Sequence, residues 1–310
     1  MHLNISHSLS EPNLPPSSSC VALGLFNGLH LGHMAVIDRM LALAGKADLT
    51  PLVFTFTAHR SSPATKTSMA HLLSTQMMHS LLKQRGVHQV ACPDFEQFCE
   101  LSPERFVQEV LAGRLGAARV VCGEDFRFGK NASGNTSTLR HLCAVVGIAA
   151  EIVPIVVVDG QSVASRDIRR LVESGDIPAA NTFLGRPFTI DFEVVHGRKL
   201  ARTLNLPTIN QEFPPGFILP RFGVYLTRVT ANGCIYSGIT NVGVKPTIGE
   251  FSPPLAETFI QGFEGDLYGR QVKVEFLQFL RDEQKFESIE QLKAAILADV
   301  AHTKAIIDNG

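Results

Sequence analysis

The feature that most constrains the fold of this chain is a change of pattern at Gly185-Arg186-Pro187-Phe188. Before this point, short apolar runs typical of buried strands alternate with stretches of helical periodicity. Beyond it, strand-like runs follow one another between Gly, Pro and Asn turns, and helical periodicity returns only at the end. A chain of 310 residues is long enough to bury two separate cores. We therefore predict two domains, residues 1–184 and residues 185–310.

The first predicted domain alternates strand and helix. Helices are expected over residues 72–85, from Ser102 with Pro103 in the first turn, and from Ser165 as N-cap to Gly175. This alternation is typical of a parallel sheet covered on both faces, with ligands at the carboxyl ends of the strands. The predicted strands are 21–26, 52–56, 88–92, 119–122 and 151–158.

The second predicted domain is an antiparallel β-barrel with a C-terminal helix. Ser288 and Gln291 form a capping box that starts this helix. The helix is expected to pack its apolar positions inward, namely Ile289, Leu292, Ile296, Val300 and Ile306 or Ile307. The predicted strands are 189–195, 224–230, 235–242, 256–263 and 272–280.

Composition narrows the choice of partners. The formal net charge is -1 and there is no basic run, which argues against nucleic acid and anionic membranes as partners. The six cysteines are scattered without CxxC spacing. Zinc is therefore not expected, and a reducing, cytoplasmic location is expected. The start of the chain lacks a basic segment with an apolar run, and no stretch approaches the roughly 20 apolar residues of a membrane span. Small molecules are the expected partners, and self-association is left open.

A first candidate site follows the first strong strand. The run ends in Gly24, Phe26, Asn27 and Gly28, and a helical pattern begins just after His30 and His33. Both histidines would lie at a helix start, where free backbone N–H groups and the helix dipole attract phosphate. Two imidazole donors there could stabilise charge on an α-phosphate as pyrophosphate leaves. The alternative is that the histidines only cap the helix.

Two further segments of the first domain carry candidate binding residues. The loop 123–134 holds Asp125, Phe126 and Phe128 among glycines, a composition suited to stacking a flat ring and bonding its polar edge. The alternative is a surface loop with one Phe tucked under it. Ser165, Arg166 and Arg169 would crowd an anion at another helix start, unless this is an ordinary capped helix with a basic first turn. His59 follows the second predicted strand and reaches the same sheet edge.

The second domain contains a candidate metal and phosphate site. Lys199 and Arg202 lie in a basic loop before Thr208 and Asn210, which are two residues apart and share a face if the segment is extended. A hydroxyl and an amide oxygen suit Mg²⁺ carrying phosphate oxygens. Glu257 stands alone in an otherwise apolar segment. The alternatives are a plain strand edge for the first pair and an exposed strand carboxylate for Glu257.

These strings resemble known families when taken together. The His-x-Gly-His string at residues 30–33 resembles the nucleotidylyltransferase superfamily. The ordered segments 207–210, 241–247, 257–259, 265–269 and 280–286 resemble riboflavin kinase, and the segment before them resembles the flavin adenylyltransferase module that bacteria fuse to that kinase. The resemblance covers roughly residues 20 to 307. It implies a Rossmann-like α/β nucleotidylyltransferase-like domain followed by the riboflavin kinase barrel.

The resemblance also implies roles for individual residues. Glu257 becomes the base of the kinase, and Arg281 and Phe286 form the flavin end of its site. Asp125, Phe126, Phe128 and His59 become flavin contacts of the adenylyltransferase. ATP is then a substrate of both reactions and Mg²⁺ the expected cation, while riboflavin, FMN and FAD are the other ligands. The residues expected to bind ATP are Gly24, Phe26, Asn27, Gly28, Ser165, Arg166, Arg169, Lys199 and Arg202.

The chain also departs from the families' usual patterns. Ala164 and Arg166 stand where a Ser and a Thr are usual, Asn27 replaces an Asp, and Arg60 replaces a Pro. Three positions of the kinase phosphate loop that are usually glycine are Lys199, Ala201 and Asn205. The expected function is a bifunctional riboflavin kinase and FMN adenylyltransferase. Two alternatives stay open, a kinase with a degenerate adenylyltransferase domain and a flavin- or nucleotide-binding regulatory protein without turnover.

Overall fold

The chain forms two compact units. The computed structural model describes residues 3–9, 18–56, 70–196, 208–244, 253–284, 286, 288, 290–291 and 294–300. The first unit comprises residues 1–69 and 75–165, and the second comprises residues 70–74 and 166–310.

The first unit is built on a parallel sheet of six strands in the order β1-β4-β3-β2-β5-β6. The chain moves outward from β2 through β3 to β4, and then returns to the other side of β2 for β5 and β6. The carboxyl ends of β2 and β5 therefore meet at a topological switch point, where ligands bind in open α/β sheets. The strands are β1 (Asn4–Ser6), β2 (Ser19–Leu23), β3 (Thr50–Phe54), β4 (Gln89–Ala91), β5 (Ala117–Gly123) and β6 (Ala149–Val153).

Helices cover this sheet, as the alternation of strand and helix predicts. The helix predicted from Ser102 is confirmed, because the Ser102 side chain accepts a hydrogen bond from the Arg105 N–H and Pro103 occupies the first turn. Among the described residues, no helix is both long and apolar enough to cross a membrane. The helices of the unit are α1 (Leu31–Ala47), α2 (Thr75–Gln84), α3 (Pro103–Arg105, continued by a π-helical segment Phe106–Arg114) and α4 (Thr136–Val145).

Two local predictions in this unit are wrong. The strand predicted over residues 151–158 ends at Val153, because Pro154 offers no N–H to a ladder. The chain then forms a separate hairpin of β7 (Val157–Val158) and β8 (Gln161–Ser162). Ser165 is not an N-cap but the first residue of the next helix, and its hydroxyl contacts His30.

The second unit contains α5 (Ser165–Ser174), except for Ser165, which belongs to the first unit. It also contains α6 (Ile177–Leu184) and an antiparallel sheet of seven strands. The strand order is β10-β11-β14-β13-β12-β15-β9. The strands are β9 (Phe188–Ile190), β10 (Val194–Val195), β11 (Thr208–Glu212), β12 (Gly223–Ala231), β13 (Cys234–Gly243), β14 (Leu255–Ile260) and β15 (Lys273–Arg281).

One continuous segment closes this sheet into a barrel. The strand predicted over residues 189–195 is divided into β9 and β10, which pair with opposite edges of the sheet, β15 and β11. Between them, the Val272 N–H donates to the Phe192 carbonyl at 3.2 Å, and the Val194 N–H donates to the Arg270 carbonyl at 2.9 Å. Gln211 is fully buried and its amide donates to the carbonyls of Phe192 and Val272, at 2.6 and 2.7 Å.

The C-terminal helix packs against the outer face of the barrel. Residues 290–291 and 294–300 are helical, and the Gln291 N–H donates to Ser288 Oγ at 3.3 Å as the capping box predicts. Ile296 and Val300 pack on an apolar cluster of the barrel strands, as expected. The other residues predicted to face inward, Ile289, Leu292, Ile306 and Ile307, lie outside the described residues. The barrel members of the cluster are Val224, Ile239, Phe259 and Leu280.

Candidate active sites

His30 is held at the start of α1 by contacts with His33 and Ser165. It is the N-cap of the helix, and its Nδ1 accepts a hydrogen bond from the His33 backbone N–H at 3.3 Å. Its Nε2 lies 3.0 Å from Ser165 Oγ, and its ring stacks on that of His33 with centroids 3.6 Å apart. Because Nδ1 accepts, the proton of a neutral ring lies on Nε2 and is donated to Ser165. The Ser165 hydroxyl in turn donates to the Asn27 carbonyl at 3.5 Å.

The turn between β2 and α1 depends on unusual backbone conformations. Gly28 has a φ of 113° and Leu29, which is buried, has a φ of 43°. A non-glycine residue in the left-handed region is uncommon and concentrates at functional turns. Phe26 is buried beneath this turn and its ring meets the His33 ring edge-on at 5.3 Å. Gly24 lets the Phe26 ring lie against the backbone, since an added Cβ would be 3.0 Å from it.

The two phenylalanines of the loop after β5 lie in different environments. Phe128 is buried in the main core and contacts Phe106, with ring centroids 5.6 Å apart. Phe126 is half-buried and stacks on Phe128 with an interplanar angle of 10°, while Asp125 is exposed. Gly134 is needed here, because an added Cβ would be 2.6 Å from the Phe128 ring. The alternative of one Phe tucked under the loop therefore describes Phe128.

The two arginines predicted to bind phosphate lie in the second unit and differ in environment. Arg166 is exposed and lies 3.7 Å from the carboxylate of Asp167. Arg169 is buried, and its Nε donates to the Ala70 carbonyl at 2.7 Å. Burial and the neighbouring positive charge of Arg169 both lower the pKa of His71. Arg169 thus ties the segment 70–74 to α5, which is a packing role that the sequence did not indicate.

The second unit brings Thr208, Asn210 and Glu257 onto one face of its barrel. Asn210 lies directly opposite Glu257 in the register of β11 and β14, and Thr208 lies opposite Phe259. Directly opposed residues of antiparallel strands have Cα atoms about 4.5–5.5 Å apart. Asn210 is buried, whereas Thr208 and Glu257 are half-buried. Since Phe259 is under the C-terminal helix, this is the outer face of the barrel.

Arg281 and Phe286, which are predicted to contact the flavin, lie close to each other. The Arg281 guanidinium lies over the Phe286 ring, 5.9 Å from its centroid. The same guanidinium makes two hydrogen bonds to the Asp299 carboxylate, at 3.1 and 2.8 Å, which join the end of β15 to the C-terminal helix. His59, Lys199 and Arg202 were also predicted to bind ligand, but they lie outside the described residues.

Asn241 and Glu283 join this group, although neither was predicted as a site residue. Asn241 lies directly opposite Glu257 on the side away from Asn210, and its Nδ2 donates to Glu283 Oε1 at 3.0 Å. Both residues lie within segments that carry the family resemblance. Their proximity to Glu257 depends on the register of β13 and β14, which a connection of eleven residues, 244–254, leaves open in the sequence.

Imidazoles lie at a helix start in the α/β unit, and a hydroxyl, an amide and a carboxylate share one face of the barrel. These groups suit the chemistry of the ATP-dependent transferases. Two family models match this chain, FAD synthetase over residues 14–167 and riboflavin kinase over residues 184–307. The chain belongs to the family of bifunctional riboflavin kinase/FMN adenylyltransferases. It phosphorylates riboflavin to FMN and adenylylates FMN to FAD, with ATP as the substrate of both reactions.

Relatives of the same description match along nearly the whole chain. The bifunctional riboflavin kinase/FMN adenylyltransferase of Pseudomonas fluorescens is 35% identical, over 94% of this chain and 94% of that protein. The protein of the same description from Bacillus subtilis is 32% identical, over 96% and 95%. A crystal structure described as a macrolide-efflux protein from Streptococcus pneumoniae has the same fold, with a TM-score of 0.86 and 28% identity over 98% of this chain and 99% of that one.

Proposed function

We propose that each unit catalyses one of the two reactions, with FMN adenylylated in the first unit and riboflavin phosphorylated in the second. The observation that carries the kinase assignment is the register that puts Asn210 opposite Glu257, with Thr208 on the same face. A base, an amide and a hydroxyl within one small area are what phosphoryl transfer to an alcohol requires. We also propose a cytoplasmic location, which the six free cysteines favour.

In the kinase site, Glu257 accepts the proton of the 5′-hydroxyl of riboflavin as that oxygen attacks the γ-phosphorus of ATP. The bond from the γ-phosphorus to the bridging oxygen breaks, and ADP leaves. Thr208 and Asn210 would hold Mg²⁺, because neutral oxygen donors beside a carboxylate suit a hard cation. When bound, the cation neutralises charge on the phosphate oxygens. Lys199 and Arg202 are assigned to the triphosphate by their place in the preceding loop.

In the adenylyltransferase site, His30 and His33 stabilise charge on the α-phosphate while pyrophosphate leaves. The hydrogen bonds of His30 to the His33 N–H and to Ser165 support this role, since they hold the ring at the start of α1 with its proton on Nε2. A phosphate oxygen would replace the Ser165 hydroxyl as the acceptor of that proton. Gly24, Phe26, Asn27 and Gly28 form the turn that brings the backbone close to ATP. The Ser165 hydroxyl donates to the backbone carbonyl of Asn27. An Asp at position 27 would present the same backbone carbonyl, so this departure from the family pattern leaves the contact intact.

We assign flavin contacts to different residues in the two sites. Phe126 offers a half-exposed ring and Asp125 a polar side chain in the first unit, with His59 as a further contact. Phe128 supports Phe126 from below, because its own ring belongs to the core. Arg281 and Phe286 would contact the isoalloxazine ring in the second unit. Arg166 and Arg169 are the remaining candidates for phosphate, and Arg166 is favoured because it is exposed.

The test is to supply the purified protein with riboflavin and MgATP and to separate the products over time. FMN and ADP are expected to appear first, followed by FAD and pyrophosphate, and chelation of Mg²⁺ with EDTA is expected to stop FMN formation. FMN without FAD would contradict the role of the first unit. Binding of riboflavin and ATP without any product would contradict both assignments.

A further inference from the structure

We propose that Asn241 and Glu283 are positioning residues of the kinase site, which hold the Glu257 side chain where it can accept the riboflavin proton. The proposal rests on the assignment of Glu257 as the base. Neither residue is assigned a contact with substrate or metal. They act through Glu257, from the side of β14 that faces away from Asn210.

The first argument is the register of three neighbouring strands. In β11, β14 and β13, the residues Asn210, Glu257 and Asn241 occupy one row across the sheet. Directly opposed side chains on one face have Cβ atoms about 4.5–5.5 Å apart and interact as pairs. Glu257 therefore has an asparagine directly opposite it on each neighbouring strand. Asn210 lies next to Thr208 on β11, whereas Asn241 lies on the far side of Glu257 from Thr208. Asn241 is therefore placed to act on Glu257 and not on the proposed metal.

The second argument is that Asn241 is itself held in place. Its Nδ2 donates to Glu283 Oε1 at 3.0 Å, which fixes the orientation of the amide plane. Glu283 follows β15 and comes from a segment distant in sequence, so the contact is built by the tertiary fold. An amide fixed at one end presents its remaining donor and acceptor in a defined direction, whereas an unrestrained amide would rotate.

The third argument is that Gly243, on β13, leaves room for the Glu283 carboxylate beside Asn241. Gly243 has no unusual φ, so its backbone does not require glycine. An added Cβ at Gly243 would instead collide with the carboxylate of Glu283. The absence of a side chain at Gly243 leaves room for the Glu283 carboxylate in the position where it accepts from Asn241. The ionic neighbour of Glu283 in sequence, Asp282, points elsewhere and pairs with Arg221 at 2.7 Å.

The experiment compares Asn241→Ala, Glu283→Ala and Glu283→Gln, with Asp282→Ala as the matched control on the same exposed segment. Asn241→Ala is expected to lower kcat for riboflavin phosphorylation by about 10- to 100-fold, with the KM for ATP nearly unchanged, because a misplaced base weakens the transition state more than ground-state binding. Glu283→Ala is expected to act in the same direction. Glu283→Gln should restore most of the activity, since its amide oxygen still accepts from Asn241.

Each variant carries an internal control for folding, because adenylylation of supplied FMN should be unchanged. The double variant Asn241→Ala with Glu283→Ala is expected to be no slower than Asn241→Ala, since Glu283 acts through Asn241. An unchanged kcat in Asn241→Ala, or losses that multiply in the double variant, would overturn the proposal. Full kinase activity in Glu257→Gln would instead overturn the assignment of Glu257 as the base. This result is distinguishable from failure of the positioning proposal, because it is measured in a different variant.

Discussion

At the scale of single residues, both proposed sites contain side chains that the fold holds in place. His30 has one ring nitrogen bonded to a backbone N–H and the other to Ser165, so its proton has a defined position. In the barrel, Asn210 and Asn241 lie directly opposite Glu257 on its two neighbouring strands, and the Asn241 amide is hydrogen-bonded to Glu283. Preorganised donors and acceptors lower a barrier because they need no rearrangement during the reaction.

Replacement of Ser165 tests how much the orientation of His30 matters. Ser165→Ala removes the acceptor for His30 Nε2, and we expect kcat for FAD formation from FMN to fall by about 10-fold because the ring is less well placed. The matched control is Ser174→Ala at the other end of α5, where the hydroxyl only donates to the Leu171 carbonyl. An equal loss in the two variants would show that the effect comes from the helix and not from His30.

At the scale of elements, the barrel is closed by a segment whose role the sequence could not reveal. Residues 189–195 are predicted as one strand, because alternation along a chain carries no information about a change of partner. In the structure, β9 pairs with β15 and β10 pairs with β11, with Gln211 hydrogen-bonded at the point of change. The strand that carries Thr208 and Asn210, β11, therefore has a partner on each side, β10 and β14.

Replacement of Gln211 tests this closure. Gln211→Ala leaves the buried carbonyls of Phe192 and Val272 without this donor, and we expect the free energy of unfolding of the second unit to fall by about 2–4 kcal/mol. Urea denaturation followed by loss of kinase activity measures the change. Gln271→Ala is the control, since Gln271 is exposed and its replacement should cost little. A midpoint as high as that of the control would mean that the closure does not depend on Gln211.

At the scale of the whole molecule, much of the organisation could be predicted from the sequence. The switch from alternating elements to strands alone identified an α/β part and a barrel, because the two periodicities differ. Which residues meet could be predicted only where they are close in sequence, as for His30 and His33, or where the family resemblance linked them, as for Asn210 and Glu257. The contacts of Ser165 with His30 and of Asn241 with Glu283 join segments 135 and 42 residues apart. No local pattern carries that information.

The most direct test of the central claim, one site in each unit, is a product analysis of Glu257→Gln and His30→Ala side by side, with riboflavin or FMN as the flavin. Glu257→Gln is expected to lose at least about 100-fold in FMN formation and yet to convert supplied FMN to FAD at the normal rate. His30→Ala is expected to accumulate FMN from riboflavin without making FAD. The claim would be contradicted if either correctly folded variant lost both reactions together, or if either retained the reaction assigned to its unit.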